Sequence, residues 1–162
     1  MTALYFEEYA EGWTFDTERR TITDYDISAF VQLHGFLSPT FTDLDYVTRS
    51  DQYGGRIAPG LLTLCMAEGL ILLSGVTRKR GIFAMELTPR FEAPVRAGDT
   101  IFNRVTFKSK KATRKPDRGI VVTDHTVLTT KGAVAIRYTS TRMIRTRAFV
   151  DTTENADKTN RA

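Results

Sequence analysis

Cysteine occurs once in this chain of 162 residues, at Cys65, and histidine twice, at His34 and His125. One thiol closes no internal disulfide, and so few sulfur and imidazole ligands spell no zinc-site spacing. A lone cysteine fits a reducing compartment, so a cytoplasmic location is expected. Long apolar runs are missing too. The longest apolar stretch, 61–76, contains Glu68 and several small or polar residues, which makes it too short and too interrupted for a membrane span. Residues 1–8 lack a basic start followed by an apolar core, so no secretory signal is expected there. Internal repeats are absent. No aromatic-interleaved RNA motif, zinc finger or helix-turn-helix accompanies the basic residues, and nucleic acid is not expected as a partner.

What remains is an ordinary globular balance. Hydrophobic residues make up 41% and charged residues 26%, enough for one domain with a sizeable core. The formal net charge of +4 gathers in Arg78-Lys79-Arg80 and in residues 108–118. Such runs read either as solvated loops or as attraction for a polyanionic ligand such as a phosphorylated coenzyme. Residues 151–162 are polar, lack apolar periodicity and read as a loose tail behind a domain spanning 1–150.

Thr23 is placed to N-cap a helix over 24–33, with Asp24 and Asp26 at its positive end, Ile27, Phe30 and Val31 on its buried stripe, and Gly35 as its stop. A loop over 36–41 leads to a short second helix begun by Thr42 and Asp43. Tyr53-Gly54-Gly55-Arg56 reads as a turn with two glycines free to adopt positive φ. Pro59 and Gly60 open the longest helix, to about Ser74, apolar on nearly every side and so expected to be wrapped by other structure. Strands are expected over 82–91, 100–108, 119–129 and 133–143, successive ones pairing antiparallel through hairpins. One apolar helix followed by an antiparallel meander predicts an α+β domain with the sheet wrapped around that helix.

Four strings in this order resemble the MaoC-like dehydratase and (R)-specific enoyl-CoA hydratase family, whose fold is the hotdog. They are the opening Tyr5-Phe6-Glu7-Glu8-Tyr9 with Gly12-Trp13-Thr14-Phe15, then Thr21-Ile22-Thr23-Asp24-Tyr25-Asp26-Ile27 to Phe30, then Tyr53-Gly54-Gly55-Arg56-Ile57-Ala58-Pro59-Gly60. The fourth is Arg90-Phe91-Glu92-Ala93-Pro94-Val95-Arg96-Ala97-Gly98-Asp99. The resemblance implies a single hotdog domain that handles an acyl thioester, carried on coenzyme A or a carrier protein, without a cofactor of its own. The apolar helix and the edge strands of a single such domain need cover, so a homodimer is expected; the resemblance adds a heteromer with a catalytic hotdog subunit as the alternative.

In that family the loop after the first helix carries D-x-N-P-x-H, whose Asp and His manage the attacking water. Backbone N–H groups at the start of the long helix hold the thioester oxygen. Here the loop is Phe36-Leu37-Ser38-Pro39-Thr40-Phe41. Pro39 keeps the register, while Phe36, Ser38 and Phe41 stand at the Asp, Asn and His positions, and Pro59 stands where many members have His. Phenyl rings neither take nor give a proton. The substrate-facing residues expected are Phe36, Ser38, Phe41, Arg56, Pro59, and Gly60 and Leu61 through their N–H groups.

Three residues are candidates to replace the missing pair. His34 stands just before the altered loop, and its other reading is packing at the helix end. Glu68 interrupts the apolar helix, where some hotdog thioesterases carry a catalytic carboxylate; otherwise it faces solvent or pairs. Cys65 falls where some hydratases have a serine, or serves as a small apolar filler. Arg56 meets a phosphate or carboxylate, or forms an internal salt bridge. Asp43 reads as a first-turn helix residue, and His125 as a structural strand residue. Arg78 to Arg80, or the basic residues of 108–115, are the expected contacts for coenzyme A phosphates.

Overall fold

The computed structural model describes residues 1–50 and 53–149, so the expected tail lies outside the described residues. After a short turn at Phe6–Glu8 come strands β1 (Thr14–Asp16) and β2 (Arg20–Thr21). Helices α1 (Asp24–His34), α2 (Pro39–Thr42), α3 (Leu44–Ser50) and α4 (Gly60–Ser74) follow. Strands β3 (Gly81–Phe91), β4 (Thr100–Ala112), β5 (Arg118–Thr129) and β6 (Val134–Arg145) complete the domain.

Local chemistry sets α1 as expected. The Thr23 hydroxyl accepts the Asp26 N–H at 3.1 Å, the Asp26 carboxylate accepts the Thr23 N–H at 2.8 Å, and Gly35 ends the helix at φ 70°. The next segment differs from the expectation. In place of a loop through Phe41, Pro39 starts a single helical turn. Asp43 then stands before α3 rather than in its first turn, its carboxylate accepting the Tyr46 N–H at 2.8 Å.

The sheet is antiparallel, in the order β1-β4-β5-β6-β3, with β2 also on β4. Strands β4, β5 and β6 form the expected meander, but β3 and β4 do not pair. Instead β3 runs beside β6 from Gly81 opposite Ile144 to Phe91 opposite Ile136. The reason lies in residues 92–99, which are stitched to earlier segments instead of closing a hairpin. Ala58 donates to the Val95 carbonyl at 2.8 Å, Gly98 to that of Ile22 at 2.7 Å, and Ile22 to that of Asp99 at 2.9 Å. Strand β4 also outruns its expected end, because a bulge between Phe107 and Ser109 resets the register and pairing continues to Ala112.

Helix α4 packs Leu62, Thr63, Leu64, Met66, Ala67, Leu70 and Ile71 inward, against alternate residues of the strands such as Val127, Ile136 and Tyr138. Its other flank is open. Leu72 and Leu73 are 66% and 71% exposed, and Leu61 and Cys65 are exposed too. The complete wrapping expected for α4 is therefore not achieved within one chain. The edge strand β3 also exposes Ile82, Phe83 and Met85. Among the described residues no helix is long and apolar enough to cross a membrane.

Candidate functional site

A cavity of about 480 Å³ opens where α4 begins. Phe36 and Phe41 form one wall, Tyr53 and residues 57–61 a second, and residues 91–95 a third, with Thr63 and Ile136 completing it. The aromatic wall follows from short-range geometry. Gly35 reverses the chain, Phe36 donates to the Val31 carbonyl at 3.0 Å, and the Ser38 carbonyl accepts the Phe41 N–H at 2.8 Å. The turn that Pro39 opens thus throws Phe41 back towards Phe36, ring centroids 6.3 Å apart, with Phe30 5.4 Å behind Phe36.

Gly60 is a packing requirement. A Cβ there would stand 2.7 Å from Cδ1 of Phe91, so only the bare backbone lets that ring lie on the first turn of α4. The N–H groups of Gly60 and Leu61 have no acceptor within the helix, which makes the helix start a seat for an anionic oxygen. The cavity's one lining carboxylate among the described residues, Glu92, is paired with Arg137 at 3.3 Å.

Of the residues expected at the site, Phe36, Phe41, Pro59, Gly60 and Leu61 line the cavity. Ser38 is exposed at the start of α2, outside the lining. Arg56 turns away from the cavity: it donates to the Phe41 carbonyl and the Ser28 hydroxyl, each at 3.1 Å, and approaches Asp24 at 3.5 Å. Its internal reading is the one the geometry favours. His34 is exposed, its ring 4.5 Å from that of Phe30, beside a separate surface depression shared with Phe36 and Ser38. Cys65 lies on the open flank of α4, exposed rather than buried as a filler.

Glu68 points between helix and sheet, away from the cavity lining. One oxygen accepts the Tyr138 hydroxyl at 2.6 Å, and the other is held by Arg142. The network continues inward. Asn103 donates to the Tyr138 oxygen at 2.7 Å and sits 3.3 Å from Nδ1 of His125, whose Nε2 is 2.7 Å from the Thr123 hydroxyl. These contacts assign the proton to Nε2. Burial, reinforced by the Arg142 charge, pushes the His125 pKa down to about 3, so the ring is neutral. Burial and the neighbouring Glu68 charge push the Tyr138 hydroxyl up. The structural reading of His125 fits this arrangement.

Sequence reasoning missed Tyr53, Ile57, Ala58, Thr63, Ile136 and the whole of 91–95 as lining residues. Phe91 stood inside a quoted string, yet nothing local says that its ring rests on Gly60. The basic runs lie elsewhere in the chain. Arg78 to Arg80 follow the C-terminal end of α4, a helix about 22 Å long at the usual rise, while the cavity lies at its start. The Arg80 guanidinium is 3.9 Å from the centre of the Tyr5 ring. Lys108 pairs with Asp124 at 3.0 Å, and Lys110 donates to the carbonyls of Phe6, Glu7 and Tyr9.

Residues 8–129 match the family model described as a MaoC like domain. Protein MaoC of Klebsiella aerogenes is 36% identical over 107 residues, 65% of this chain and 31% of that protein, so the match spans about a third of that relative. The (R)-specific enoyl-CoA hydratase of Rhodospirillum rubrum is 32% identical over 142 residues, 86% of this chain and 91% of that one. The crystal structure of a MaoC-like dehydratase from Rhodospirillum rubrum superposes with a TM-score of 0.81 at 26% identity, covering 91% of this chain and 100% of that one.

Proposed function

Because the chain belongs to the MaoC-like domain family and has its hotdog fold, we propose that it binds an acyl thioester at the start of α4 without running hydration through the loop that precedes α3. The acyl chain occupies the cavity, and the thioester oxygen faces the N–H groups of Gly60 and Leu61. The observation that carries this reading is the wall made by Phe36 and Phe41. Both rings are half-buried, pack on the main hydrophobic cluster and stand in the cavity.

Hydration needs a group to take the proton from water and donors for the charge that builds on the thioester oxygen. The helix start supplies candidate donors. For the proton, no imidazole lines the cavity among the described residues, and Glu92 is held by Arg137. The arrangement supports binding over turnover. A second copy of the chain is the occupant proposed for the open flank of α4 and β3. A catalytic hotdog subunit is the alternative, and it would bring the missing pair with it.

Calorimetry with a series of saturated acyl-coenzyme A thioesters tests the reading. Binding is expected with a negative heat-capacity change from the buried chain, and weakening with salt as the phosphates are screened. A general acid or base contributes about a hundredfold to ten-thousandfold, so hydration of a short enoyl thioester by this chain alone is expected near background. Turnover of several per second overturns the non-catalytic reading. Absence of binding to both coenzyme A and carrier-protein thioesters overturns the reading as a whole.

A further inference from the structure

Two arginines hold the aromatic lip of the cavity without lining it. Arg56 grips the main-chain carbonyl of Phe41 through Nε at 3.1 Å, and its Nη1 reaches Ser28 of α1 at 3.1 Å. Arg96 donates through Nε to the main-chain carbonyl of Tyr53. Its guanidinium lies against Gly54, where an added Cβ would be 3.5 Å from Nη2 and φ is 62°.

The stems of the two side chains are joined. Ile57 and Arg96 form an antiparallel bridge, Ala97 donates to the Arg56 carbonyl at 3.4 Å, and Ala58 to that of Val95 at 2.8 Å. The base is anchored further, since the Arg96 N–H meets Asp99 at 2.9 Å and Asp99 takes Lys131 at 2.7 Å. The same short ladder carries Ile57, Ala58 and Val95, which line the cavity. One stapled unit therefore presents part of the inner wall and sends two guanidinium groups to the main-chain carbonyls of Phe41 and Tyr53.

We propose that Arg56 and Arg96 form a clamp that sets the distance between the aromatic lip and the first turn of α4, and so selects which acyl chains the cavity accepts. The proposal rests on the reading that this cavity takes an acyl chain. Arginine suits the task. Its planar donors bridge two acceptors at a fixed separation, which the single ammonium of lysine does not. A charged donor on a neutral carbonyl also makes a stronger bond than a neutral pair. Arg56 and Arg96 are positioning residues, and the rings they place set the specificity.

The test uses Arg56→Met and Arg96→Met, which keep an apolar stem, together with Arg56→Lys. The first readout needs no ligand: 4-fluorophenylalanine is placed at position 41 and its fluorine spectrum recorded. The wild-type background is expected to give one narrow line, and Arg56→Met a broadened or split one, with Arg56→Lys unable to restore it. The second readout is affinity across a series of acyl-coenzyme A chain lengths. Loss of a charge-assisted hydrogen bond predicts about tenfold weaker binding of the preferred chain, with discrimination between neighbouring lengths largely lost. An unchanged fluorine line overturns the clamp, as does a uniform loss of affinity that leaves chain-length preference intact. If the wild type binds no acyl thioester, the functional reading fails while the fluorine line still judges the clamp. Should the Arg56 variants not fold, Ser28→Ala combined with Asp24→Ala removes both α1 anchors of Arg56 and takes both readouts with the same expectations.

Discussion

Glu68 and Arg142 are only 19% and 15% exposed at their side chains, so each is the other's main compensation for lost water. Removing one partner leaves the second charge and the Tyr138 hydroxyl without their match. Glu68→Leu is expected to cost about 3 kcal/mol in urea denaturation, and adding Arg142→Leu to recover much of that loss. If the double variant is no more stable than the single one, the pair is not the reason for the cost. Gly60→Ala is a steric test at the cavity mouth. The Phe91 ring must move, at about 1–3 kcal/mol, and acyl binding weakens with it. His125 predicts a pH dependence. Its folded pKa, about 3, lies below the ordinary 6.5, so between those values the unfolded chain binds a proton that the native protein refuses. Stability is therefore complete above pH 6.5 and falls by about 1.4 kcal/mol per unit as pH drops towards 3. His125→Gln removes that slope, measurable as the urea midpoint at several pH values; an unchanged slope assigns the acid sensitivity to the carboxylates.

At the scale of elements, the turn joining α1 to α3 is the most informative part of the chain. Its rings are placed by Gly35, by Pro39 and by the Ser38 carbonyl, none of which depends on the rings themselves. Phe36→Asp combined with Phe41→His is therefore expected to keep the turn and to produce weak hydration of a short enoyl thioester. The rate should fall far below that of a complete site, since Ser38 and Pro59 also differ from the family pattern and the surrounding shell is not built for the pair. Activity in neither the double variant nor the wild type would mean that the N–H groups at the start of α4 do not hold the thioester. Helix α1 was legible from its N-cap at Thr23, the two carboxylates of its first turn and its stop at Gly35, and the structure adds the reciprocal bond from Thr23 to Asp26. Strand β4 was legible only as far as its alternation lasted, because the bulge at Phe107 breaks the period while Lys110 spends its charge on three carbonyls.

For the whole molecule, the open flank is the feature that asks for company. Leu72, Leu73, Cys65 and Leu61 along α4 are exposed, and Phe83 is 64% exposed on β3, an edge strand. Exposed large apolar side chains, and a strand edge without a partner among the described residues, each favour association. Sedimentation at micromolar concentration is expected to show a dimer, and Leu72→Glu with Phe83→Lys to shift it to monomer. A wild-type monomer would count against a second copy and direct attention to a different subunit.

The sequence by itself determined what depends on neighbours along the chain. Thr23 with Asp26, Gly35, the paired glycines at 54 and 55, the apolar helix and the alternating strands are short-range signals, and the ordered strings identified the family. The same order showed phenyl rings at positions 36 and 41, and the structure sets both rings in the cavity wall. Only the tertiary structure decided that β3 joins β6, that Phe91 rests on Gly60, that Glu68 serves an internal network, and that Arg56 reaches the Phe41 carbonyl and Ser28. Each of these joins residues far apart in sequence. Which partner wins is settled when the layers pack and every buried polar group must find a mate, a choice that no local period encodes.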